Sequence, residues 1–266
     1  MEWPTTSDLY LPHLSARIRR GRGIGIGEAY VPWLKVRDVP SRGTSSIVQG
    51  INVDRSFHFL SKLEVTYFYL QERKSNVIDI REQFPILDIA RTIELCSQFG
   101  VQHGYRGIYP EPFTIDFLIT ENTTNGVQYK AASIKTPEDA NNPRVKLRLA
   151  IEYEWCREQS IPWVLIDTSL FNDIVLENLR FLRSWFRHRY MPSIQKTNTF
   201  AMSFMNNYSR NVQLVELLQK TASQLKLEFS VAADAFRYCG WTNQLPVSLH
   251  HSISFDKPLV LSNAAN

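Results

Sequence analysis

Glu64, Asp116, Ser133, Lys135 and Glu152 are the residues of this 266-residue sequence whose types and spacing can do chemistry together. Asp116 lies in the stretch Thr114-Ile115-Asp116-Phe117, and Lys135 follows Ser133 by two residues in a later apolar segment. Positions i and i+2 of a strand point to one side, so Ser133 and Lys135 face together, and Asp116 can share that side if the two strands are neighbours. Glu64 stands in a helical stretch upstream. A strand carboxylate, a lysine on the next strand and a helix carboxylate suit metal-assisted cleavage of a phosphodiester. Mg²⁺ takes oxygen ligands and needs only one or two carboxylates besides phosphate and water. It lowers the pKa of a bound water and stabilises the attacking and leaving oxygens. A lysine ammonium offsets charge on the phosphoryl oxygens or positions the attacking water.

Each of these residues also has a plainer reading. Glu64 follows Ser61 by three, the spacing of a helix capping box. Asp116 and Lys135 are residue types usually found solvated on a strand, and Glu152 fits an exposed helix charge. His58 precedes the Glu64 helix and can approach such a site, because its charge changes near neutral pH. His250-His251 reads as a surface pair.

The elements that must position these groups follow from periodicity. Phe59 to Glu72 reads as a helix with Leu63, Tyr67 and Leu70 facing a core. Val77 to Phe84 reads as a half-buried strand, with Ile78, Ile80 and Phe84 opposite Asp79, Arg81 and Gln83, closed by Pro85. In Phe113 to Thr120, the residues Phe113, Ile115, Phe117 and Ile119 share one face. Val127 to Thr136 is a further strand, Glu138 to Gln159 a helix, and Ile161 to Ile166 a buried strand. This is an α/β layer arrangement over about the first 165 residues. Beyond it, Phe171 to His188 is helical, Met191 to Asn207 is turn-rich, and Asn211 to Leu225 and Val231 to Gly240 are helices. Val247 to Ile253 and Leu259 to Ser262 then read as two strands around Asp256-Lys257-Pro258, the order of a winged helix.

Composition bounds the function. Hydrophobic residues make up 44% and charged residues 21%, so a packed core is expected, and the net charge of +4 permits DNA binding without demanding it. Cys96, Cys156 and Cys239 are far apart and form no CxxC, which excludes a zinc motif or a disulfide framework and fits a reducing cytoplasm. No apolar run approaches the roughly 18 residues of a membrane span. Residues 1–50 read as a Gly/Arg-rich arm and lead-in: Arg17, Arg19, Arg20 and Arg22 are interleaved with and followed by Gly21, Gly23, Gly25 and Gly27. No Walker lysine follows, so a flexible arm laying Arg19, Arg20 and Arg22 on DNA phosphates is favoured over a nucleotide loop, with a plain surface loop as the alternative.

Several blocks resemble the TnsA family, the non-transferred-strand endonucleases of Tn-seven-like transposons. They are Arg20-Gly21-Arg22-Gly23 with Tyr30, Pro32-Trp33-Leu34 and Val39-Pro40-Ser41; Leu60-Ser61 with Leu63-Glu64; Asp79-Ile80-Arg81-Glu82-Gln83-Phe84-Pro85; Asp116-Phe117-Leu118; the strand ending in Lys135; and Gln159 to Trp163. The resemblance implies a restriction-endonuclease-like (PD-(D/E)xK) core over residues 51–168 and partner binding by the domain over 169–266, which matches the family only in size and mainly helical character; its winged-helix-like reading rests on the element order above. It implies Glu64, Asp116 and Lys135 as catalytic residues, with Mg²⁺, replaceable by Mn²⁺, on the two carboxylates and the Ile134 carbonyl. Glu152 falls where some relatives carry a further acid. Ser133 stands where such enzymes often carry Gln or Glu, which puts its own contact with the metal in doubt. The implied partners are double-stranded transposon-end DNA, a TnsB-like DDE transposase that cuts the 3′ ends while this subunit cuts the 5′ ends, and a TnsC-like ATPase regulator. A stand-alone restriction-type nuclease, a non-catalytic DNA-binding adaptor and a winged-helix transcription factor are the rival readings. The last lacks a basic recognition helix, since Val231 to Gly240 carries only Arg237.

Overall fold

A computed structural model describes residues 1–40 and 44–262 and divides the chain into two compact units, Met1–Ser169 and Leu170–Asn266. Ser41, part of one of the blocks above, lies outside the described residues. In chain order the first unit contains α1 (Ser15–Arg19), β1 (Ser46–Gln49), β2 (Ser56–Phe59), α2 (Lys62–Glu72), β3 (Val77–Ile86), α3 (Ile89–Gln98), β4 (Tyr105–Arg106), β5 (Tyr109–Pro110), β6 (Phe113–Thr123), β7 (Gly126–Ile134), α4 (Pro137–Asn141), α5 (Pro143–Glu158) and β8 (Trp163–Ile166). The central sheet runs β3-β6-β7-β8, antiparallel except for the parallel β7–β8 pair, so the unit is mixed α/β. The expected Glu138–Gln159 helix is two helices, because Asn142 is extended before Pro143 and its side chain caps α5. The expected helix from Phe59 begins only at Lys62, since Ser56–Phe59 pairs with β1 instead.

Both faces of this sheet are covered. On one side Phe84, Ile86, Phe113, Ile115 and Leu118 pack with Leu95 of α3 and with Ile151 and Trp155 of α5. On the other, Phe117 meets Phe59 (6.0 Å between ring centres) and Tyr67 (5.1 Å), and Phe59 stacks against Phe68. Each such ring taken from water contributes about 1.5–3 kcal/mol. Two layers of cover explain why simple alternation fails here. Ile80 and Phe84 are buried as expected, but Ile78 is exposed and Asp79, Arg81 and Gln83 are buried as well. Phe113 and Ile115 share their face with Leu118, and Phe117 points to the opposite one. In α2, Tyr67 is buried but Leu63 and Leu70 only half so, because Val65, Phe68 and Tyr69 are buried as well.

Buried polar groups in β3 are matched rather than solvated. Arg55 grips Glu82 with two nitrogens (3.0 and 2.6 Å) and donates to the Ile80 carbonyl (2.7 Å), which clamps the β1–β2 hairpin to β3. Arg81 donates to the Met1 carbonyl at 2.7 Å. β3 also continues through Pro85, paired with Thr114, instead of stopping there. It is an edge strand of this sheet, so the missing N–H breaks no ladder bond, and the Pro85 carbonyl takes the Trp3 indole N–H at 2.8 Å.

The first 50 residues are part of the first unit, not a free arm. Leu14, Ile18, Ile24 and Trp33 form an apolar cluster with Leu87 and Ile89. Arg17 pairs with Glu111 at 2.9 Å. Arg22 is bound to the Asp38 carboxylate and to the Trp33 carbonyl. Only Arg19 and Arg20 of the expected DNA-contacting set are exposed. The glycines serve the turn itself: Gly23 has φ +72°, and a Cβ there would run into the Pro85 ring.

The second unit holds α6 (Asp173–Arg183), α7 (Ile194–Asn207), α8 (Leu214–Leu225) and α9 (Phe229–Trp241) around Leu179, Leu182, Phe200, Phe204, Leu218 and Phe236. The stretch expected to be turn-rich is mostly α7. The Ser193 hydroxyl caps its start, and Phe200 and Phe204 anchor it one turn apart. The two expected strands are absent among the described residues; a single bridge, Val247–Leu261, stands in their place. The Asn178 side chain takes the groups a ladder would use, donating to the Leu249 and His251 carbonyls (2.9 and 2.8 Å) and accepting from the Ile253 N–H (2.8 Å). The Leu214 and Val215 N–H groups at the start of α8 bind the Lys257 and Phe255 carbonyls. Without a two-stranded wing, the arrangement does not carry the winged-helix expectation. No helix among the described residues is long and apolar enough to cross a membrane.

Candidate active site

The centre of the first unit is a fork in its sheet. β6 pairs with β3 along its whole first half, but its pairing with β7 ends at Phe117–Ala132, while β7 continues beside β8 through Ile134–Ile166. Past the fork the Ile134 N–H has no strand partner, and the Asp116 carboxylate takes it at 2.7 Å. The same oxygen accepts from the Lys135 ammonium at 2.7 Å, and Lys135 also donates to the Ile134 carbonyl at 3.0 Å. Thr168 fixes the Lys135 carbonyl (2.8 Å). Asp116, Ile134 and Lys135 are thus drawn into one knot by divergence of two strands.

Glu64 reaches the site from the first turn of α2. Ser61 caps that helix through the Glu64 N–H (3.2 Å) and donates its hydroxyl to the Glu64 carboxylate (2.9 Å), while the Leu60 N–H donates to the other oxygen (3.0 Å). The capping reading holds, and the same carboxylate lies within electrostatic reach of Asp116 and Lys135. The Gln83 amide also reaches Glu64, at 3.4 Å. Burial first, and then the Asp116 charge, push the Glu64 carboxyl up to about 7, against the pull of Leu60, Ser61 and Lys135.

Glu152 projects from α5 into the same neighbourhood, fully enclosed. Ser133 donates to it at 2.6 Å and itself accepts the Trp163 indole N–H at 3.2 Å. Ser133 is therefore a buried bridge whose proton is committed to Glu152. Burial and then Asp116 push the Glu152 carboxyl up to about 7 as well, although Lys135, Ser133 and Arg148 pull the other way. Burial pulls the Lys135 ammonium down, but Asp116, Glu152 and Glu64 outweigh it and leave it above an ordinary lysine. One ammonium thus faces three carboxyl groups, a surplus of negative charge that a divalent cation would relieve, with release of protons.

The donors suit a hard cation: carboxylates and a carbonyl, with no sulfur. Among the described residues no three His, Cys, Asp or Glu side chains converge closely enough to hold an ion by themselves. His58 does not join the group. Its N–H serves Glu82 at 3.0 Å, and its ring, lowered by burial, has Lys35, Arg55, Arg22 and Arg37 as its charged neighbours. Sequence reasoning assigned no role to Trp163 or Gln83. Both stood in the quoted blocks, but a residue that holds another leaves no spacing signal of its own.

A family model described as "TnsA-like endonuclease N terminal" matches residues 74–168, which include Asp116, Ser133, Lys135 and Glu152. The chain is also 34% identical over 172 residues to "Transposon Tn7 transposition protein TnsA" of Escherichia coli. The chain is TnsA-like. That alignment covers 64% of this chain and 62% of the relative, so the chain spans somewhat less than two thirds of the relative's length. The segment matched by the family model begins after Glu64, whose place beside Asp116 is given by the α2 geometry.

Proposed function

We propose that the chain is a Mg²⁺-dependent DNA endonuclease with a restriction-endonuclease-like core, the subunit of a heteromeric cut-and-paste transposase that hydrolyses the 5′, non-transferred strands at transposon ends. The observation that carries this reading is the knot of Asp116, Ile134 and Lys135 at the sheet fork, inside the segment that matches the TnsA-like endonuclease model. Glu64, Asp116 and the Ile134 carbonyl would hold the metal, and Mn²⁺ would substitute. Bound there, the ion supplies Lewis-acid activation of water and neutralises phosphoryl charge. Asp116 orients the Lys135 ammonium, whose side chain is 27% exposed and so within reach of a substrate phosphate, to offset charge that grows as the phosphorus is attacked. Ser133 and Glu152 anchor β7 to α5 behind it. Exposed Arg19 and Arg20 are proposed to touch the DNA backbone. The proposed partners are transposon-end duplex DNA, a TnsB-like DDE transposase for the 3′ strands and a TnsC-like ATPase.

The test is strand-specific nicking of a labelled transposon-end duplex with Mg²⁺, with and without the TnsB-like partner, comparing wild type with Asp116→Ala. Partner-dependent cutting of the 5′ strand that disappears in the variant is expected. Cutting without the partner would favour a stand-alone nuclease. DNA bound in the complex but never cut would leave an adaptor and remove the catalytic roles.

A further inference from the structure

Position 83 is irregular in a way the strand does not require. Gln83 has φ +48°, a left-handed conformation that residues with a Cβ rarely adopt, and it is buried within β3. Its neighbours show the effect. Glu82 faces Arg55 and the β1–β2 hairpin, whereas Phe84 lies in the core on the other side of the sheet, with the Arg81 guanidinium 5.4 Å from its ring. Residues 82 and 84 of a regular strand would share a face. The partner strand reverses its faces at the same rung, without a change of register. Glu82 pairs with Phe117 and Phe84 with Ile115, so Gln83 stands across from Asp116, and Ile115 and Phe117 also face opposite ways.

The irregularity is held from outside. The Trp33 N–H donates to the Gln83 carbonyl (3.3 Å), and the Tyr30 hydroxyl donates to the Glu82 carbonyl (3.0 Å). Trp33 and Tyr30 are themselves buried, which locks the N-terminal segment onto this edge of β3. What the arrangement achieves is visible at the other end of the side chain, where the amide nitrogen lies 3.4 Å from Glu64 Oε2. Leu60 and Ser61, the other donors to Glu64, belong to the lead-in of its own helix, whereas Gln83 belongs to the sheet that carries Asp116. A backbone outlier kept by surrounding structure at a candidate active site points to a functional use.

We propose that Gln83 is a positioning residue: its strained backbone delivers a neutral amide that ties the Glu64 carboxylate of α2 to the Asp116 rung of the sheet. The proposal rests on the nuclease reading above and deepens it. A neutral donor suits the place, because a carboxylate there would add to the negative surplus and an ammonium would compete with a bound cation. The bond lengthens or shortens with any shift of α2 against the sheet, so Gln83 sets the separation of the two carboxylates across which a metal would bind.

The test uses Gln83→Gly and Gln83→Asn in the full chain. Glycine adopts φ +48° without strain, so the Gly variant keeps or raises the unfolding temperature while losing the amide. Asparagine tolerates the left-handed region and keeps an amide on a shorter arm. Three quantities are read: the unfolding temperature, Mn²⁺ affinity by electron paramagnetic resonance without DNA, and single-turnover nicking with the TnsB-like partner beside wild type and Asp116→Ala. The expected result for Gln83→Gly is an unfolding temperature no lower than wild type, with Mn²⁺ affinity and nicking rate each down about 10- to 100-fold, as for loss of an outer-shell partner. Gln83→Asn is expected to recover part of both. A Gly variant that binds Mn²⁺ and cuts as wild type overturns the proposal and leaves the nuclease reading standing. A wild type that binds no Mn²⁺ and cuts nothing overturns both.

Discussion

Replacing Glu64 with Gln separates the two duties of this residue, because one depends on pH and the other does not. The carboxyl moves from an ordinary 4.5 to about 7 on folding. A value raised on folding means that the protonated form is favoured in the folded state. Its contribution is full below pH 4.5 and is lost as pH rises through about 7. The carboxylate at pH 8 therefore opposes folding by about 3 kcal/mol relative to pH 4. Glutamine does not titrate and escapes that penalty. It can accept from only one of Leu60 and Ser61, which costs about 1 kcal/mol of lost hydrogen bonding at any pH. The balance is about 2 kcal/mol of stabilisation at pH 8 and about 1 kcal/mol of destabilisation at pH 4. For a unit of this size 1 kcal/mol moves the midpoint by about 2–4 °C, so Glu64→Gln should unfold about 4–8 °C higher than wild type at pH 8 and about 2–4 °C lower at pH 4. Scanning calorimetry in chelator at the two pH values measures both, and Mg²⁺-dependent nicking should be lost in the variant. A variant destabilised equally at both pH values would refute the argument and leave Glu64 as a cap alone.

Arg22→Ala should lower stability by about 1–2 kcal/mol through loss of the Asp38 ion pair and the Trp33 carbonyl bond, read in a urea titration. The double variant Arg19→Ala, Arg20→Ala should leave that titration within about 0.5 kcal/mol of wild type. It should make the slope of log K against log salt for DNA binding shallower by roughly 0.9 for each phosphate contact removed, and an unchanged slope would remove these arginines from the interface. Asn178→Ala should destabilise the second unit by about 1–3 kcal/mol, because the buried Ile253 N–H and two part-buried carbonyls lose their partner together. Hydrogen exchange should then accelerate over residues 247–261 while the first unit keeps its protection.

The cores of α2, β3, β6, β7, α5 and β8 were legible because long apolar stretches bounded by Pro and capping residues carry strong local signals, whereas α3 and the β1–β2 hairpin were not expected. Ser61 and Glu64, three apart, marked the start of α2, and the pattern from Phe113 marked β6. What failed was the sense of the faces. Alternation assumes one wet side, and β3 has none along most of its length, since Arg55, Met1 and Gly27 come from distant sequence to satisfy its polar groups. The reversal of faces at Gln83 and Asp116 was equally hidden, because it is held by tertiary hydrogen bonds of Tyr30 and Trp33. Asp116 and Lys135 could be placed on two successive strands, but that these are neighbours, and that a fork brings Ile134 to Asp116, are properties of pairing. In the second unit, α7 escaped notice because Asn, Thr, Ser and Gln dominate it and only Phe200 and Phe204 report its core side. The strands expected near the C-terminus looked sound locally and lost their partners to one asparagine on α6.

That asparagine also imposes an order in time. Asn178 binds backbone groups 71 to 75 positions further along the chain. At synthesis rates of about 5–20 residues per second, they leave the ribosome roughly 4–15 s after it does. Through that interval α6 carries an unpaired amide, and Leu182 lacks the packing of the Gly240–Val247 region that later closes on it. The second unit therefore cannot complete its core progressively as it emerges. Its final segment acts as a latch that closes after all four helices exist, and that interval is when this unit is most open to proteases and chaperones.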